Sequence, residues 1–485
     1  MLLRLREIPH SLGEEESSLP DKIASILNLP VAGISHWRIV RRGIDARRKP
    51  RVLRVYTVDF SVPKPVDVLR LNSDNQLLAE APQQPPDSFV RGCTPFKVVV
   101  VGMGPCGLFT AMTLAEAGAE VTLVERGKPV AERLQDVRSF WENSQFNPES
   151  NIQFGEGGAG TFSDGKLTSR LNDPLMRRVL ETLVRFGAPE EILWQAKPHV
   201  GSDRLRAVLV NFRKHLSKLG VDIRFTSQLT SIATTQGRIA GAELNGAELL
   251  ETDHLVLALG HSARDTYQML MSVGVAMQLK AFAIGLRVEH PLELINRIQY
   301  GMERHPQLPA AEYNLAWNNK QTGRGIYSFC MCPGGTVVNA ASEEGRIVVN
   351  GMSNFKRDAK LSNSALVVAV RPNDFPAADP LAGVRFQRCW EEAAFKAGNS
   401  SWRAPAQPLL EFLHGRGGRL FSSCQPGVAH ADLGSCLPEF VSAELRQALP
   451  HFNRRMKGFI CAEATLIGVE TRTSAPLRIL RSTDY

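Results

Sequence analysis

The feature that most constrains this chain is a glycine-rich turn directly after a short run of valines. Val98–Val101 is continuously β-branched, as is typical of a parallel strand buried on both faces. Gly102, Gly104 and Gly107 follow it in the spacing GxGxxG, and a helical apolar pattern comes next. The first glycine permits the tight bend, the second lets a phosphate approach the backbone, and the third lets helix and strand pack closely. The turn predicts a βαβ unit that binds the pyrophosphate of a dinucleotide.

An acidic residue stands where such a unit would hold a ribose. Glu120–Val124 reads as the second strand, and Glu125 follows it, 18 residues after Gly107. A carboxylate at this point accepts the ribose hydroxyls of an adenosine and repels a 2′-phosphate, which disfavours NADP at this site. The alternative, a strand, turn and helix that bind no ligand, does not explain the acidic strand end.

A second glycine-rich stretch, Phe154–Lys166, follows within the same region. Gly155, Gly157, Gly158 and Gly160 leave a bare backbone that can lie flat against a wide planar ring. The alternative is an ordinary flexible loop. The GxGxxG spacing by itself does not distinguish FAD from NAD.

Composition narrows the class of protein. The chain has 485 residues, enough for two to four domains, and 43% hydrophobic and 22% charged residues exclude a disordered or fibrous protein. We expect no transmembrane span, and Arg4, Arg6 and Glu7 argue against a secretory signal. Eight dispersed cysteines without CxxC spacing predict reduced thiols, no metal site and a cytoplasmic location. The net charge of +8 permits anion binding but is also typical of a solvated surface.

The chain reads as an α/β protein of several parts. We predict a basic N-terminal α+β module at 1–80 in the order β-α-β-β, and a proline-rich linker at 81–95. A Rossmann-like domain is predicted at 96–280, and an inserted β-rich α+β substrate or cap domain at 281–465. Residues 466–485 are predicted to return toward the Rossmann-like domain. Predicted elements include strands at Asp222–Ile232, Arg346–Gly351 and Ala365–Val370, and helices at 384–398 and 437–449.

Taken together, six segments resemble one known family. These segments are Gly102–Gly107, Glu125–Gly127, Phe154–Lys166, Leu257–Asp265, Phe329–Gly335 and Glu470–Ser474. The chain resembles bacterial and plastid FAD-dependent dehydrogenases of unassigned substrate over nearly its whole length. It is more distantly similar to flavoproteins of the glutathione-reductase type. The resemblance implies FAD as cofactor and an oxidoreductase activity, and it supplies no substrate.

The resemblance also implies roles for individual residues. It places Gly102, Gly104 and Gly107 at the FAD pyrophosphate, and Glu125 and Arg126 at the ribose and adenine. The other residues that it implies are at the flavin, at the adenine or in the turn that closes the nucleotide site: Gly158, Gly160, Thr161, Ser163, Lys166, Leu229 and Gly260.

The C-terminal segment departs from that family. Flavoproteins of this type add a strand, a Gly-acid-Gly turn and a helix whose N-terminus faces the flavin. The sequence after Glu470 shows no such pattern. We therefore expect a truncated return at 466–485 and a loosely held flavin ring.

Three side chains are candidates for catalysis. Lys166 near a flavin would stabilise the anionic reduced ring, and the alternative is a surface ion pair with Asp164. Cys330 and Cys332 would point to the same face of a strand, where a thiol could exchange electrons with a flavin. Their alternative role is as small buried hydrophobic groups.

The expected partners follow from these residues. We expect a small organic substrate, with external NAD(P)H or a protein as electron donor. The arginines between Arg38 and Arg54 are interleaved only with Trp37 and Tyr56, so nucleic acid is not an expected partner. Two alternatives stay open at this point: a flavoprotein that binds RNA through the basic module, and an inactive remnant without its last flavin-binding element.

Overall fold

The computed structural model describes residues 1–82, 96–169, 173 and 175–482. They belong to two compact units. The first unit comprises Met1–Ser88, Lys166–Val200 and Asn296–Ala311, and the second comprises Phe89–Gly165, Gly201–Ile295 and Glu312–Tyr485. Most of the predicted linker, 83–95, lies outside the described residues. The predicted boundary between 280 and 281 falls inside the second unit, and the domain limits stay predictions.

The first unit is built on an antiparallel sheet. Its N-terminal elements are β1 (Leu3–Ser11), α1 (Leu19–Leu27), β2 (Ser35–Arg48), β3 (Arg51–Ser61), α2 (Pro65–Leu71) and β4 (Leu78–Glu80). The strand order is β2-β3-β1-β4, and the predicted β-α-β-β succession is confirmed. Apolar residues alternate along β1 and β3, so one face of the sheet packs against Leu19 and Ile23 of α1. Arg4, between Leu3 and Leu5, therefore lies on the opposite face, whereas Arg54 of β3 lies on the packed face and is buried.

The second unit contains a Rossmann-like sheet. The next elements along the chain are β5 (Lys97–Val101), α3 (Pro105–Glu116), β6 (Glu120–Val124), α4 (Val130–Asn143), α5 (Leu175–Arg185), α6 (Ser202–Lys218), β7 (Asp222–Arg224), β8 (Leu229–Thr235), β9 (Arg238–Leu244), β10 (Glu248–Glu251), β11 (His254–Leu257) and α7 (Arg264–Ser272). Four strands pair in parallel in the order β11-β5-β6-β7. This order places the ends of β5 and β6 at the centre of the sheet, where such folds bind ligands.

The single strand predicted at Asp222–Ile232 is wrong. The chain forms β7, turns at Thr226, which has a φ of 52°, and then forms β8 in a separate antiparallel sheet with β9 and β10. The segment predicted as one strand therefore forms two strands in two different sheets. The spacing of its apolar residues does not reveal the turn between them.

A seven-stranded sheet dominates the rest of the second unit. The remaining elements are β12 (Met277–Leu279), β13 (Phe282–Pro291), α8 (Leu292–Tyr300), β14 (Ala316–Asn318), β15 (Gly325–Cys332), β16 (Thr336–Asn339), β17 (Val349–Met352), β18 (Leu361–Val370), α9 (Ala382–Ala397), β19 (Ala404–Pro408), α10 (Leu409–His414), β20 (Val428–His430), α11 (Glu439–Arg455), β21 (Thr465–Glu470) and β22 (Leu477–Ile479). The order is β14-β15-β18-β13-β21-β19-β20. The β-rich character that the sequence predicts is confirmed, although the strand predicted at Arg346–Gly351 begins three residues later.

The chain after β21 returns to the region of the Rossmann-like sheet. Strand β22 pairs antiparallel with β12, and Leu477 packs with Tyr267 and Leu270 of α7. Among the residues that the structure describes, no helix combines the length and the apolar character needed to cross a membrane.

Candidate functional site

A cavity of about 440 Å³ opens in the second unit where β5 and β6 end. Eight residues predicted to bind the cofactor line it: Gly102, Gly104, Glu125, Arg126, Gly158, Gly160, Leu229 and Gly260. They come from parts of the chain that are far apart in sequence. The fold therefore gathers them around one space at the carboxyl ends of the parallel strands.

Two glycines of the GxGxxG turn are required by the packing of the protein itself. Gly102 has a φ of +102°, and a Cβ there would lie 2.4 Å from the Ala258 carbonyl oxygen. A Cβ at Gly107 would lie 1.8 Å from the Gly102 carbonyl oxygen. Any side chain at either position would force the strand, the turn and helix α3 apart.

Gly104 is different, because its missing side chain leaves space for a ligand. A Cβ there would meet nothing closer than the Cα of Gly158, at 4.0 Å. Gly104 also lines the cavity. The fold leaves room for a Cβ at this position. A ligand that lies close to the backbone would collide with it.

Helix α3 begins at this turn without a side-chain cap. Gly104 is its N-cap residue, Pro105 is the first helical residue, and no side chain bonds the first turn. A helix N-terminus offers backbone N–H groups and a partial positive charge, which suit a phosphate. The cavity therefore has an anion-binding end.

Glu125 is buried at the cavity wall and organises the surrounding backbone. Its Oε1 accepts hydrogen bonds from the N–H groups of Gly127 and Gly155, both at 2.9 Å. Its Oε2 accepts one from the Met103 N–H, at 2.9 Å. An ionised carboxylate has about four acceptor positions, so Oε2 retains one for a ligand hydroxyl. Glu125 thus joins the two glycine-rich turns before any ligand binds.

Arg126 lines the cavity, but acidic side chains of the protein occupy its guanidinium. The group donates to Glu149 and to Asp265 at distances of 2.8 to 3.0 Å. It also stacks on the Phe154 ring, with 4.2 Å from Cζ to the ring centroid. Burial opposes the charge of Arg126, but the two carboxylates outweigh it and raise the pKa of the group. The side chain therefore presents its flat, paired guanidinium at the wall as a surface for packing.

A fully buried arginine, Arg133, holds the second glycine-rich turn. Its guanidinium donates to four backbone carbonyls, which belong to Asn151, Ile152, Gly155 and Glu156, at 2.7 to 3.2 Å. Burial lowers its pKa to about 10, which still leaves it charged at neutral pH. Sequence reasoning missed Arg133, because an arginine on an amphipathic helix normally reads as a solvated surface residue.

Thr161 and Ser163 support the same turn and do not line the cavity. The Thr161 hydroxyl donates to the Glu156 carbonyl at 2.9 Å, and the Ser163 hydroxyl donates to the Gly160 carbonyl at 2.8 Å. Both are predicted site residues, and both hydroxyls are engaged within the turn. Their contribution is to hold Gly158 and Gly160 against the cavity.

A buried ionic network lies behind the turn that follows β11. Glu391 of α9 is fully buried and receives paired hydrogen bonds from Arg264, at 2.7 and 2.8 Å, and from Arg472, at 2.9 and 3.0 Å. Arg472 also donates to Ser262 at 2.9 Å. The two guanidinium groups hold the pKa of Glu391 well below its usual range despite its burial. This network connects the wall of the cavity to the seven-stranded sheet.

His261 lines the cavity and is neutral. Burial, then Arg472 and Arg264, lower its pKa to about 4. Its Nδ1 lies 2.8 Å from the Ser262 hydroxyl, which accepts from Arg472 and donates to Gln153. The neutral ring has one nitrogen that donates a hydrogen bond and one that accepts.

The candidate catalytic residues lie elsewhere. Lys166 belongs to the first unit, where it forms a β-bridge with His199. Asp164 forms an ion pair with Arg357, at 2.9 Å through Nε, and the pairing of Lys166 with Asp164 stays open as an alternative. The catalytic role of Lys166 stays a prediction.

Cys330 and Cys332 occupy a β-bulge, so the alternation expected of a regular strand is broken. Pairing of β15 with β18 shifts between Phe329 and Cys332, and Cys330 has a φ of +43°. Cys332 is fully buried and Cys330 is partly exposed. Neither lines the cavity, and the guanidinium of Arg287 donates to the Cys330 carbonyl at 3.3 Å.

Arg287 forms a second buried ion pair, with Glu470, at 2.8 Å. Burial raises the pKa of Glu470 to about 7, although Arg287 opposes the rise. The folded chain therefore binds a proton at Glu470 over a pH range in which the unfolded chain has released it.

We expect this proton to make stability depend on pH. From about pH 4.5 to about pH 7, the free energy of unfolding of the parent chain should fall relative to that of Glu470→Gln, because the native state holds a proton that the unfolded chain has released. The free energy should fall by on the order of 1 kcal/mol for each step of one in pH across this range. Urea unfolding of both proteins across this range measures the difference, and a constant difference would contradict the raised pKa.

Comparisons with known proteins agree with this site. A family model described as pyridine nucleotide-disulphide oxidoreductase matches residues 96–280, and one described as FAD-dependent protein, C-terminal domain-like, matches residues 281–473. A domain of unknown function (DUF8436) matches residues 3–61. An uncharacterized protein of Clostridium beijerinckii is 43% identical over 489 residues, which are 99% of this chain and 91% of that protein.

The fold and these matches define the class as FAD-dependent oxidoreductases with a Rossmann-like domain. The chain belongs to the family of FAD-dependent oxidoreductases of unassigned substrate that includes the clostridial protein, and FAD is its cofactor.

Solved structures resemble the chain only weakly. They include THI4 of Thermovibrio ammonificans, at 17% identity over 38% of this chain and 64% of that one, with a TM-score of 0.26. CtdE in complex with FAD is 17% identical over 59% and 62% of the two chains, with a TM-score of 0.25. The tetracycline destructase Tet(51) is 12% identical over 60% and 62%, with a TM-score of 0.30. This chain spans less than two thirds of each solved chain, and similarity this low supports no argument.

Proposed function

We propose that the chain is an FAD-dependent dehydrogenase or reductase that acts on a small organic substrate. The observation that carries the proposal is the convergence of two glycine-rich turns, Glu125 and an uncapped helix N-terminus around one cavity. Such a cavity offers an anion-binding end, an acceptor for ribose and a bare backbone surface for a planar ring. These are the groups that a flavin dinucleotide requires.

The residues present fit FAD. The first turn of α3 would bind the pyrophosphate at Gly104, where the missing side chain leaves the backbone open. The free acceptor position of Glu125 Oε2 would accept a ribose hydroxyl. Leu229, at the start of β8, lines the same cavity and would contact the adenine.

The remaining residues would hold the cofactor in a defined, dry environment. FAD would supply the two-electron redox chemistry. Arg133 fixes the backbone at Asn151–Glu156, directly before Gly158 and Gly160, and the Glu391 network fixes the turn that carries His261. Since His261 is neutral, its ring would exchange a hydrogen bond with a ligand hydroxyl without adding charge.

We propose external NAD(P)H as the electron donor, and the match to pyridine nucleotide-disulphide oxidoreductases supports this choice. Under anaerobic conditions, submillimolar NADH or NADPH should bleach the flavin absorbance of the purified protein. Gly104→Val protein with the same amount of free FAD serves as the control, because only bound flavin should react. A flavin that dithionite reduces but neither nucleotide reduces would contradict this donor.

The proposed redox role of Cys330 and Cys332 has its own test. If these thiols exchange electrons with the flavin, anaerobic titration should take up about four electrons per flavin in the parent protein and about two in Cys330→Ser/Cys332→Ser, since each couple carries two. We expect FAD content to be unchanged in the variant, because neither cysteine lines the cavity. Equal electron uptake by both proteins would leave the cysteines with a packing role alone.

A further inference from the structure

The first unit has a surface groove that shares no lining residue with the cofactor cavity and has arginines in its wall. The groove has a volume of about 360 Å³ and is lined by Arg4 and Arg6 of β1, Arg41 of β2, Thr57 of β3 and Trp194. It lies on the sheet face opposite α1, where the arginines alternate with core residues. We propose that this face, the arginine groove, binds single-stranded nucleic acid through its phosphates and a stacked base.

The charge in the groove is only partly neutralised. Asp59 is fully buried and pairs with Arg4 at 2.6 Å and with Arg38 at 3.1 Å. Within the described part of the chain, Arg6 and Arg41 have no carboxylate partner, and both are exposed. One carboxylate therefore faces four guanidinium groups, and the excess positive charge lies at the groove.

The same face extends the positive charge along the β2–β3 hairpin. Arg48 and Arg51 are directly opposite each other in the register of the two strands, and both are exposed. Like charges in cross-strand positions destabilise a sheet unless an anion lies between them. On the same face, Arg41 of β2 lies opposite the neutral Thr57 of β3. A row of guanidinium groups along a strand pair matches a polyanion better than a single small anion.

Trp194 supplies the aromatic surface that the sequence around these arginines lacks. Tyr56 is fully buried against α1, so it is not available to a ligand. Trp194 instead comes from a distant part of the chain: its carbonyl accepts from the Arg42 N–H at 2.7 Å, and the Ala196 N–H donates to the Arg42 carbonyl at 2.9 Å. This pairing fixes the half-buried indole at the edge of β2, beside the unneutralised Arg41. An aromatic ring next to a basic strip is the arrangement that binds single strands.

The test uses the full chain saturated with FAD, so that the cofactor site is not available to the probe. The probe is a fluorescein-labelled oligo-uridine of about twelve nucleotides, whose binding is followed by anisotropy between about 50 and about 200 mM salt. Trp194→Ala should weaken binding by roughly 5- to 150-fold, the range for loss of one stacked base. Arg6→Gln/Arg41→Gln should reduce the slope of log affinity against log salt by roughly 1.4, about 0.7 for each lost phosphate contact.

Matched controls separate this site from general charge. Arg238→Gln removes an exposed arginine of β9 and should leave binding unchanged. FAD content should be the same in all variants. Three results would each overturn the proposal. The first is that Arg238→Gln loses as much binding as Arg6→Gln/Arg41→Gln does, and the second is that AMP or inorganic phosphate competes as well as unlabelled oligo-uridine does. The third is that phosphatidylserine vesicles bind as tightly as the oligonucleotide, in a manner that depends on Arg41. Gly104→Val should bind the oligonucleotide as tightly as the parent protein does. An error in the flavin site and an error in the nucleic-acid proposal would therefore give different results.

Discussion

Gly104→Val is expected to purify as a folded protein without FAD. A Cβ at Gly104 would meet no atom closer than 4.0 Å, so we expect the fold to accommodate the valine, but its side chain would occupy the space in which we propose that the pyrophosphate binds. Hydrogen bonds to a charged group contribute about 1.5–3 kcal/mol each, so losing two of them should weaken FAD binding by at least about a hundredfold. The FAD dissociation constant, measured by quenching of flavin fluorescence, checks the prediction.

Two glycines serve as controls for this variant. Gly33 lies in the first unit, and a Cβ there would be an ordinary 3.6 Å from Pro30, so Gly33→Val should keep its FAD. Gly107→Val should instead fail to fold, because its Cβ would lie 1.8 Å from the Gly102 carbonyl oxygen. Gly104→Val protein with the parent's FAD affinity would show that the pyrophosphate binds elsewhere.

Glu391→Gln is expected to give a large loss of stability in a chain that still folds. The substitution preserves the shape of the side chain but removes the carboxylate of Arg472 and leaves Arg264 with Glu343 alone. Breaking a buried ion pair by removing one partner costs about 3–5 kcal/mol. Because the pKa of Glu391 is held low, this contribution should persist throughout the neutral range and be lost only in acid. Urea unfolding of both proteins at neutral pH measures the cost.

The next residue on the same helix provides the control. Glu392 is exposed and pairs with Lys396 at 2.8 Å, one helical turn away. Solvent screens an exposed pair at this spacing, so Glu392→Gln should unfold at nearly the parent's urea concentration. Equal stability of Glu391→Gln and Glu392→Gln would mean that the buried network contributes little to the fold.

The cofactor turn could be predicted from the sequence because its determinants are local. The valines of β5, the glycines at 102, 104 and 107 and the acidic end of β6 lie within one βαβ unit, and each has a steric or electrostatic reason for its position. Leu229 and Gly260 could be placed only through the family resemblance, and in the structure both line the same cavity. Their roles toward FAD stay proposals.

The groups that hold the site in place could not be predicted. Arg264 and Glu391 are 127 residues apart, and Glu391 and Arg472 are 81 apart, so no local pattern pairs them. Charged residues on amphipathic helices ordinarily read as solvated, which is why Arg133 and Glu391 escaped notice. The bulge at Cys330 was missed for a related reason: an apolar strand pattern does not reveal a residue with positive φ.

The N-terminal basic module is a further case in which tertiary structure brings together residues that are distant in sequence. The arginines between Arg38 and Arg54 are evident in the sequence, and the lack of aromatic neighbours other than Trp37 and Tyr56 argues there against a nucleic-acid surface. The fold buries Tyr56 and places Trp194 beside β2 through backbone pairing across about 150 residues. Charge can be read from a sequence, but which aromatic ring accompanies it depends on tertiary structure.

The most direct test of the central claim is the identity and amount of the cofactor that heat releases from the purified chain. The proposed phosphate, ribose and adenine positions at Gly104, Glu125 and Leu229 predict FAD, with about one molecule per chain, and a flavin absorption spectrum before release. Release of FMN would contradict the dinucleotide site. A chain that contains no flavin and takes up none when incubated with FAD would contradict the account as a whole.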